Sequence, residues 1–351
     1  MNEILSPQAV EALLAWYREN KRDLPWRHTR DPYRIWISEI MLQQTRVEAV
    51  KPYYARFLEV CPNVESLASL PEERLYKLWE GLGYYSRARN LQKAARTVVS
   101  EHGGKMPTRY EELLKLSGIG EYTAGAIASI AYDLPYPAVD GNVLRVLSRV
   151  SGSERDIADP DTKRAYREAL LGIIPKAAGD FNQSLIELGA TVCVPNGEPK
   201  CDLCPLHGCC VASREGLTDR IPVKSAKKPR RIEEKTVLLI RDDGRTVLSK
   251  RPPKGLLAGL YELPNVKGHL GEEETVAYLR ALGFEPLQIR RLEDSKHIFT
   301  HIEWHMIAYA VKITPEFDGK CGAENMLIIP NETLKSEYAI PSAFGAYIKY
   351  L

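Results

Sequence analysis

The sequence has no apolar stretch approaching the length of a membrane span. Its opening residues, MNEILSPQAVEALLAWY, also lack the basic region followed by an apolar core that marks a secretory leader. These absences lead us to expect a cytosolic chain with no membrane partner. Excess charge of one sign is missing as well: 48 Lys and Arg stand against 46 Asp and Glu, a formal charge of +2. No whole-molecule field announces a polyanion, so any surface for nucleic acid must be local. Cysteine is scarce, at seven in 351 residues, but its placement is uneven.

Cys193, Cys201, Cys204 and Cys210 fall within eighteen positions, in ATVCVPNGEPKCDLCPLHGCC. Thiols this dense in a chain with no secretory signal are metal ligands more often than disulfides. Structural zinc favours two short C-x2-C-like knuckles, whereas here only Cys201 and Cys204 are so close and the outer gaps are x7 and x5. An iron-sulfur cubane held by one looping segment tolerates such spacing. Cys209 competes with Cys210 for the fourth place, and Cys61 and Cys321 are remote enough to be packing residues.

At 351 residues the chain exceeds what one core usually organises, so two domains are expected. The basic, proline-interrupted stretch PVKSAKKPRR at 222–231 reads as an exposed linker. Before it nearly every segment has helical periodicity. Ser6 and Pro7 form a cap and first-turn pair, and further helical patterns cover roughly 32–60, 71–80, 84–102, 108–115, 121–132, 142–151, 161–173 and 180–191. After it, TVLLIRDDGRTVLSK is a hairpin pattern around Asp243-Gly244, HIFTHIEWHMIAYAVKI contains an alternating strand, EEETVAYLRAL is a helix, and another helix is expected at 341–350.

LSGIGEYTAGAIASIAYDLPYPAVDGNVLRVLSRV, residues 116–150, carries the most specific chemistry. Gly118 and Gly120 permit a tight turn between two helices, where free amides can meet a phosphate without a basic side chain. Asp140 opens the helix GNVLRVLSRV, as an N-cap would, and a helix start favours its ionised form. Glu39 sits in WISEIML among apolar neighbours, which raise a carboxyl pKa. A glutamate at about 4.3 is almost never protonated at neutral pH, so such a lift suits an acid catalyst. Two carboxylates pushed in opposite directions suggest an acid paired with an anionic nucleophile or stabiliser. A noncatalytic DNA-binding module would need neither beside a polyanion.

The ordered set WISEIMLQQTRV, GLGYYSRARNL, LSGIGEYTAGAIASIAY, VDGNVLRV and the cysteine loop closely resembles the MutY-type adenine DNA glycosylases of the helix-hairpin-helix superfamily. The resemblance runs from about residue 8 to the end, because GLYELP and HIFTH look like that family's Nudix-like C-terminal domain. It implies a multidomain chain. A mostly α helix-hairpin-helix glycosylase domain with an iron-sulfur cluster loop would cover 1–217, a linker 218–234, and an α+β Nudix-like 8-oxoguanine-recognition domain 235–351. Three positions depart from the family pattern: the first cysteine gap is x7 rather than x6, Ser117 replaces the hairpin proline, and Thr300 stands where serine is usual.

The resemblance also implies a function: a monomer that excises adenine mispaired with 8-oxoguanine or guanine in double-stranded DNA and leaves an abasic site. Glu39 would protonate the adenine, Asp140 would face the sugar cation, and Tyr122 and Asn142 would support them. A lysine-bearing relative of the endonuclease III type attacks C1′ with an amine; the phenol of Tyr122 cannot, which implies a monofunctional enzyme. By the same resemblance Gln44, Thr45, Leu82 and Tyr84 would be wedge and opposite-base contacts, and Gln183 would touch the extruded adenine. Arg22, Arg27, Arg87 and Arg89 would be candidate phosphate contacts. Phe299, Thr300 and His301 would inspect 8-oxoguanine, and Cys193, Cys201, Cys204 and Cys210 would hold a 4Fe-4S cluster with Lys200 and His207 near DNA. Glu272, Glu273 and Glu274 lack the spacing of a magnesium-binding Nudix helix, so nucleotide hydrolysis is not expected. A thymine-mismatch glycosylase would resemble the first domain but leave the second unexplained.

Overall fold

A computed structural model describes residues 4–226, 229–314 and 325–351. Cys321, and Lys227 and Lys228 of the basic linker, lie outside the described residues. The chain divides into two compact units, Met1–Ser69 with Asn90–Ala226, and Leu70–Arg89 with Lys227–Leu351. The short Leu70–Arg89 piece thus groups with residues more than 130 positions downstream, which the helical periodicity around it does not signal.

Helices up to the linker are α1 (Pro7–Asn20), α2 (Pro32–Leu42), α3 (Val47–Val60), α4 (Val64–Ser69), α5 (Glu72–Trp79), α6 (Ser86–His102), α7 (Tyr110–Leu113), α8 (Glu121–Tyr132), α9 (Gly141–Ser151), α10 (Pro160–Leu171), α11 (Ala178–Thr191) and α12 (Val211–Arg214). Local chemistry sets their starts. Ser6, Asp31 and Asp159 each cap a helix whose first turn carries proline, and such a cap contributes about 1 kcal/mol. The expected single helix at 32–60 is two helices, α2 and α3, because Gln44 adopts a left-handed φ of 59° and breaks the hydrogen-bond ladder. That break sets the polar Gln43-Gln44-Thr45 run along an open cleft.

Helix α2 is apolar almost all round. Tyr33 and every residue from Ile35 to Met41 are buried, so it is an interior helix rather than an amphipathic surface one. Each large apolar side chain withdrawn there contributes about 1.5–3 kcal/mol. Glu39 is drawn inside by its neighbours. Helix α8 lies beside α2 and is buried from Thr123 to Ile130. At Gly125 a Cβ would come within 2.2 Å of the Pro137 carbonyl oxygen, so only glycine lets the 133–140 connection close over α8. A second apolar core joins α1, α9, α10 and α11 through Leu13, Leu147, Leu170, Phe181 and Leu185.

The other unit holds a seven-stranded sheet of β1 (Arg231–Arg241), β2 (Arg245–Lys250), β3 (Tyr261–Glu262), β4 (Asn265–Lys267), β5 (Pro286–Ile298), β6 (Ile302–Ile313) and β7 (Met326–Pro330). Strand order is β3-β2-β1-β6-β5, with β4 paired to β1 and β7 to β2. β1 and β6 run parallel from Arg231↔Ile302 to Arg241↔Lys312, and β5 and β6 form an antiparallel hairpin. Helix α13 (Glu272–Ala281) interrupts the strands and α14 (Asn331–Glu337) follows β7. The helix expected at 341–350 is shorter, a 3-10 turn Ser342–Phe344 followed by α15 (Gly345–Ile348). One core gathers around Trp304 and Phe344, and another around Leu238, Leu279 and Tyr309.

Candidate active site

Glu39, Tyr122, Asp140 and Asn142 line one open cleft of about 990 Å³ in the helical unit, together with Arg22, Arg27, Gln44, Thr45 and Gln183. Positions 39 and 140, a hundred residues apart, therefore share one cavity. α2 delivers the glutamate, α8 the tyrosine, and the start of α9 the aspartate and asparagine.

Tyr122 Oη donates to Glu39 Oε2 at 2.7 Å. Glu39 is 7% exposed, and burial lifts its pKa to about 7. The Tyr122 hydrogen bond and the Arg27 charge oppose that lift, and the nearby Asp140 charge reinforces it. A carboxyl group at about 7 is half protonated at neutral pH, the condition for a general acid.

Asp140 caps α9. Its Oδ1 accepts from the Asn142 and Val143 amides, both at 2.9 Å, and its Oδ2 from Asn142 Nδ2 at 2.7 Å. The expectation that the helix start pushes this group towards its ionised form, opposite to Glu39, is corrected: burial raises its pKa, and the three N–H donors and Arg145 only moderate the rise. Both carboxyls are pushed towards protonation. What distinguishes them is three N–H donors on Asp140 against one O–H on Glu39.

The supports of this site were not foreseen from the sequence. Asn182, fully buried, accepts from the Ala138 amide at 3.0 Å and donates to Ser129 Oγ and the Tyr136 carbonyl, both at 2.8 Å, fixing the extended run that leads to Asp140. Arg145 donates to Asn142 Oδ1 at 2.9 Å, to the Gly189 carbonyl at 2.7 Å and to the Cys193 carbonyl at 2.8 Å. One turn further along α9, Arg149 donates to Cys193 Sγ at 3.3 Å and to the Thr218 and Ile221 carbonyls. The cysteine loop is thereby fastened to the helix that carries Asp140.

Glu187 is likewise fully buried and accepts from Arg22 Nε at 2.8 Å, Arg22 Nη2 at 2.8 Å and Arg27 Nη2 at 2.6 Å. Burial alone would raise its pKa, yet the two guanidiniums bring it down to about 2. This pairing holds Arg27 in the cleft wall at 8% exposure and so corrects its assignment as a phosphate contact, while Arg22 on the same carboxylate keeps 35% of its side chain exposed. The hairpin behaves as its glycines require. Gly118 has φ 77° and faces Asn90, and Gly120 precedes α8. Ser117, in the proline position, donates to Asn90 Oδ1 at 3.3 Å.

Cys193, Cys201, Cys204 and Cys210 line a single cavity whose other walls include Val146, Leu188 and Leu206, with Arg149, Lys200 and His207 beside them. Cys209 is turned away and lines a different cavity, which separates it from Cys210. The longer first gap is closed at its neck by Lys200 N–H donating to the Val192 carbonyl at 3.0 Å. Burial, reinforced by the neighbouring sulfurs, pushes the Cys204 thiol up to about 12. Among the described residues no three His, Cys, Asp or Glu side chains form a site for a metal ion. The four thiols line one cavity, a soft-donor set that suits a thiolate-bound metal centre.

In the other unit, Phe299 packs edge-on against Trp304 at 4.8 Å, leaving Thr300 and His301 exposed at the tip of the β5–β6 hairpin. Tyr84, with φ 47° and 47% exposure, reaches Thr300 Oγ1 through its hydroxyl at 3.2 Å. Leu82 does not project as a wedge: it is 5% exposed, folded inward by a turn whose Leu82 and Gly83 carbonyls accept from Arg87. Arg87 is itself buried between the Trp79 and Tyr84 rings, and burial lowers its pKa to about 10, so its expected phosphate contact is also corrected. Arg89 donates to the Ala258 carbonyl at 2.8 Å. No helix among the described residues is long and apolar enough to cross a membrane.

Residues 37–176 match the HhH-GPD superfamily of base excision DNA repair proteins, and residues 236–350 match the NUDIX domain. Adenine DNA glycosylase of Mus musculus is 37% identical, the alignment covering 86% of this chain and 70% of the mouse protein. Adenine DNA glycosylase of Buchnera aphidicola subsp. Acyrthosiphon pisum is 32% identical over 86% of each chain. Among solved structures, a thermostable thymine-DNA glycosylase aligns at a TM-score of 0.54 with 31% identity, over 59% of this chain and 95% of the other. An endonuclease III–DNA complex aligns at 0.52 with 26% identity, over 59% and 94%.

Proposed function

We propose that this chain, which belongs to the adenine DNA glycosylase family, releases adenine paired with 8-oxoguanine, or with guanine, and stops at the abasic site. It is a DNA glycosylase, a hydrolase of N-glycosyl bonds in base excision repair. The finer reading rests on one observation: Glu39 and Asp140 line one cleft, with Tyr122 bonded to the first and Asn142 to the second.

Adenine is a poor leaving group as an anion. In this reading Glu39, near half protonation, donates a proton to the base, by family analogy at N7, as the C1′–N9 bond lengthens. The sugar then gains oxocarbenium character, and Asp140 stabilises or transiently captures C1′ before water completes hydrolysis. A cation at C1′ restores the advantage of charge on Asp140 that burial weakens, and the three N–H donors hold its oxygens in place. Gln44, Thr45 and Gln183 stand on the same cleft to receive a base turned out of the duplex. Tyr122 offers no amine, so no Schiff base forms and the strand is left intact.

Cys193, Cys201, Cys204 and Cys210 would hold a 4Fe-4S cluster, which when bound supplies iron–thiolate cross-links that tie the loop together. The protein's own share is Arg145 and Arg149, which fasten that loop to α9. Thr300 and His301 are the groups we assign to reading the opposite base, with the chain acting as a monomer on double-stranded DNA.

A duplex panel tests the reading. Adenine should be released opposite 8-oxoguanine and guanine, thymine opposite guanine should not, and strand breaks should appear only after alkali. Glu39→Gln should cost roughly 10²–10⁴-fold in single-turnover release while binding persists, and Asp140→Asn should abolish release. Unchanged turnover in either variant removes that residue from the mechanism.

A further inference from the structure

Within the sheet-bearing unit, a small cavity is lined by Tyr76, Tyr261 and Tyr338 and by Glu72, Glu73 and Glu337, with Lys250 as the ammonium among them. The lysine Nζ lies 5.0 Å from the Tyr261 ring centroid and 3.7 Å from Glu73 Oε1, and Tyr338 meets Tyr261 edge-on at 4.9 Å. One exposed ion pair at that distance contributes little. The cavity walls hold two carboxylates of α5 and one of α14, and without the ammonium Glu73 loses its cation, while Glu72 keeps the Tyr76 hydroxyl and the Arg89 guanidinium beside it.

Helix α5 belongs to the segment that carries Tyr84. Around the cage the segment is bonded to the rest of its unit: Lys77 Nζ donates to the Tyr338 carbonyl at 3.3 Å, the Ile340 amide to Glu80 Oε1 at 3.2 Å, and Arg89 to the Ala258 carbonyl. Gly259, left-handed at φ 73°, sets its loop in ordinary contact range of the segment, where a Cβ would lie 3.6 Å from both Glu72 Oε1 and Tyr76 Oη and 3.8 Å from Arg89 Nη1. At its far end the segment makes the Tyr84–Thr300 contact. The cage thus sits on the helix that leads into the Tyr84 turn.

We propose that Lys250 is a positioning residue for lesion reading, its ammonium pinning α5 to the sheet so that Tyr84 meets Thr300. This rests on the function proposed above. Lys250 touches neither substrate nor reacting atoms; it acts through Tyr84.

The test measures single-turnover adenine release opposite 8-oxoguanine and opposite guanine in the full chain. Lys250→Met should lower the preference for 8-oxoguanine by roughly 3- to 10-fold, leaving release opposite guanine unchanged. Lys250→Arg should keep the preference, and Lys250→Met with Glu73→Gln should recover part of it, since one repelling charge is gone. Raising salt should narrow the gap between Lys250→Met and wild type. In a Tyr84→Phe background Lys250→Met should have no further effect. A preference that Lys250→Met leaves intact, an equal loss on both duplexes, or an effect additive with Tyr84→Phe overturns the inference. A wild-type chain with no preference at all overturns the functional reading instead. Should Lys250→Met fold poorly, the charge-compensated pair decides: normal folding with full preference overturns the positioning role, and reduced preference sustains it.

Discussion

The tyrosine at position 122 can be tested for what its hydroxyl does to Glu39. The phenol donates at 2.7 Å to a carboxyl group whose pKa is about 7. A donor bonded to a carboxylate favours the ionised form, so Tyr122 holds Glu39 lower than burial alone would place it. A hydrogen bond to a charged partner contributes about 1.5–3 kcal/mol, and one pKa unit is about 1.4 kcal/mol, so Tyr122→Phe should raise the Glu39 midpoint by about one to two units. At pH 8 the wild-type glutamate is about one-eleventh protonated; in the variant it should be half protonated or more. The measurement is the pH profile of single-turnover adenine release between about pH 5.5 and 9.5, read as the position of the alkaline limb rather than as an absolute rate. Loss of the phenol can lower the plateau, because Tyr122 lines the cleft. The limb should still move to higher pH. A limb that stays in place or moves to lower pH refutes both the assignment of Glu39 as the acid and the sign argued for its hydrogen bond.

Two further outcomes follow from buried groups around the cleft. The purified chain should be coloured, with broad visible absorption and about four iron atoms per molecule; a colourless protein carrying zinc would overturn the reading of the four cysteines. Glu187→Gln should destabilise the chain at neutral pH by roughly 2–3 kcal/mol, allowing for solvent beside the partly exposed Arg22, because Arg27 is left as an uncompensated buried charge. The Glu187 pKa is depressed to about 2, so its contribution is complete above the unfolded value near 4.5 and is lost as pH falls towards 2. Melting curves of wild type and variant should converge over that window. Curves that differ equally at pH 7 and pH 2.5 would refute the ion-pair account.

Periodicity and caps made most of the helical unit legible. The expected helix at 121–132 coincides with α8, and the remaining boundaries differ by a few residues wherever proline or a side-chain cap marks the start. Gln44 defeated the same reasoning, since a left-handed residue inside a continuous apolar pattern leaves no trace in composition. The Asp243-Gly244 hairpin was legible from its turn chemistry, whereas α14 was not, being a short helix tied to its surroundings by tertiary contact.

The site divides along the same physical line. Glu39 and Asp140 could be picked out because each sits in a local motif with its own chemistry, a carboxyl among apolar residues and a cap at a helix start, whereas Tyr122 and Asn142 came from the family resemblance alone. Their supports had no such mark. Arg22 and Glu187 are 165 positions apart, Ala138 and Asn182 are 44, and Arg145 and Cys193 are 48. A buried polar residue is tolerated only when its partners are met, and the sequence records the residue but not the partner. That is why Arg27 and Arg87 read as surface cations when packing turns both inward. It is also why Leu70–Arg89, helical in pattern and flanked by helices, shows no sign of grouping with the sheet. Reactive groups are written into neighbouring residues, while the pairs that hold them in place exist only once distant segments meet.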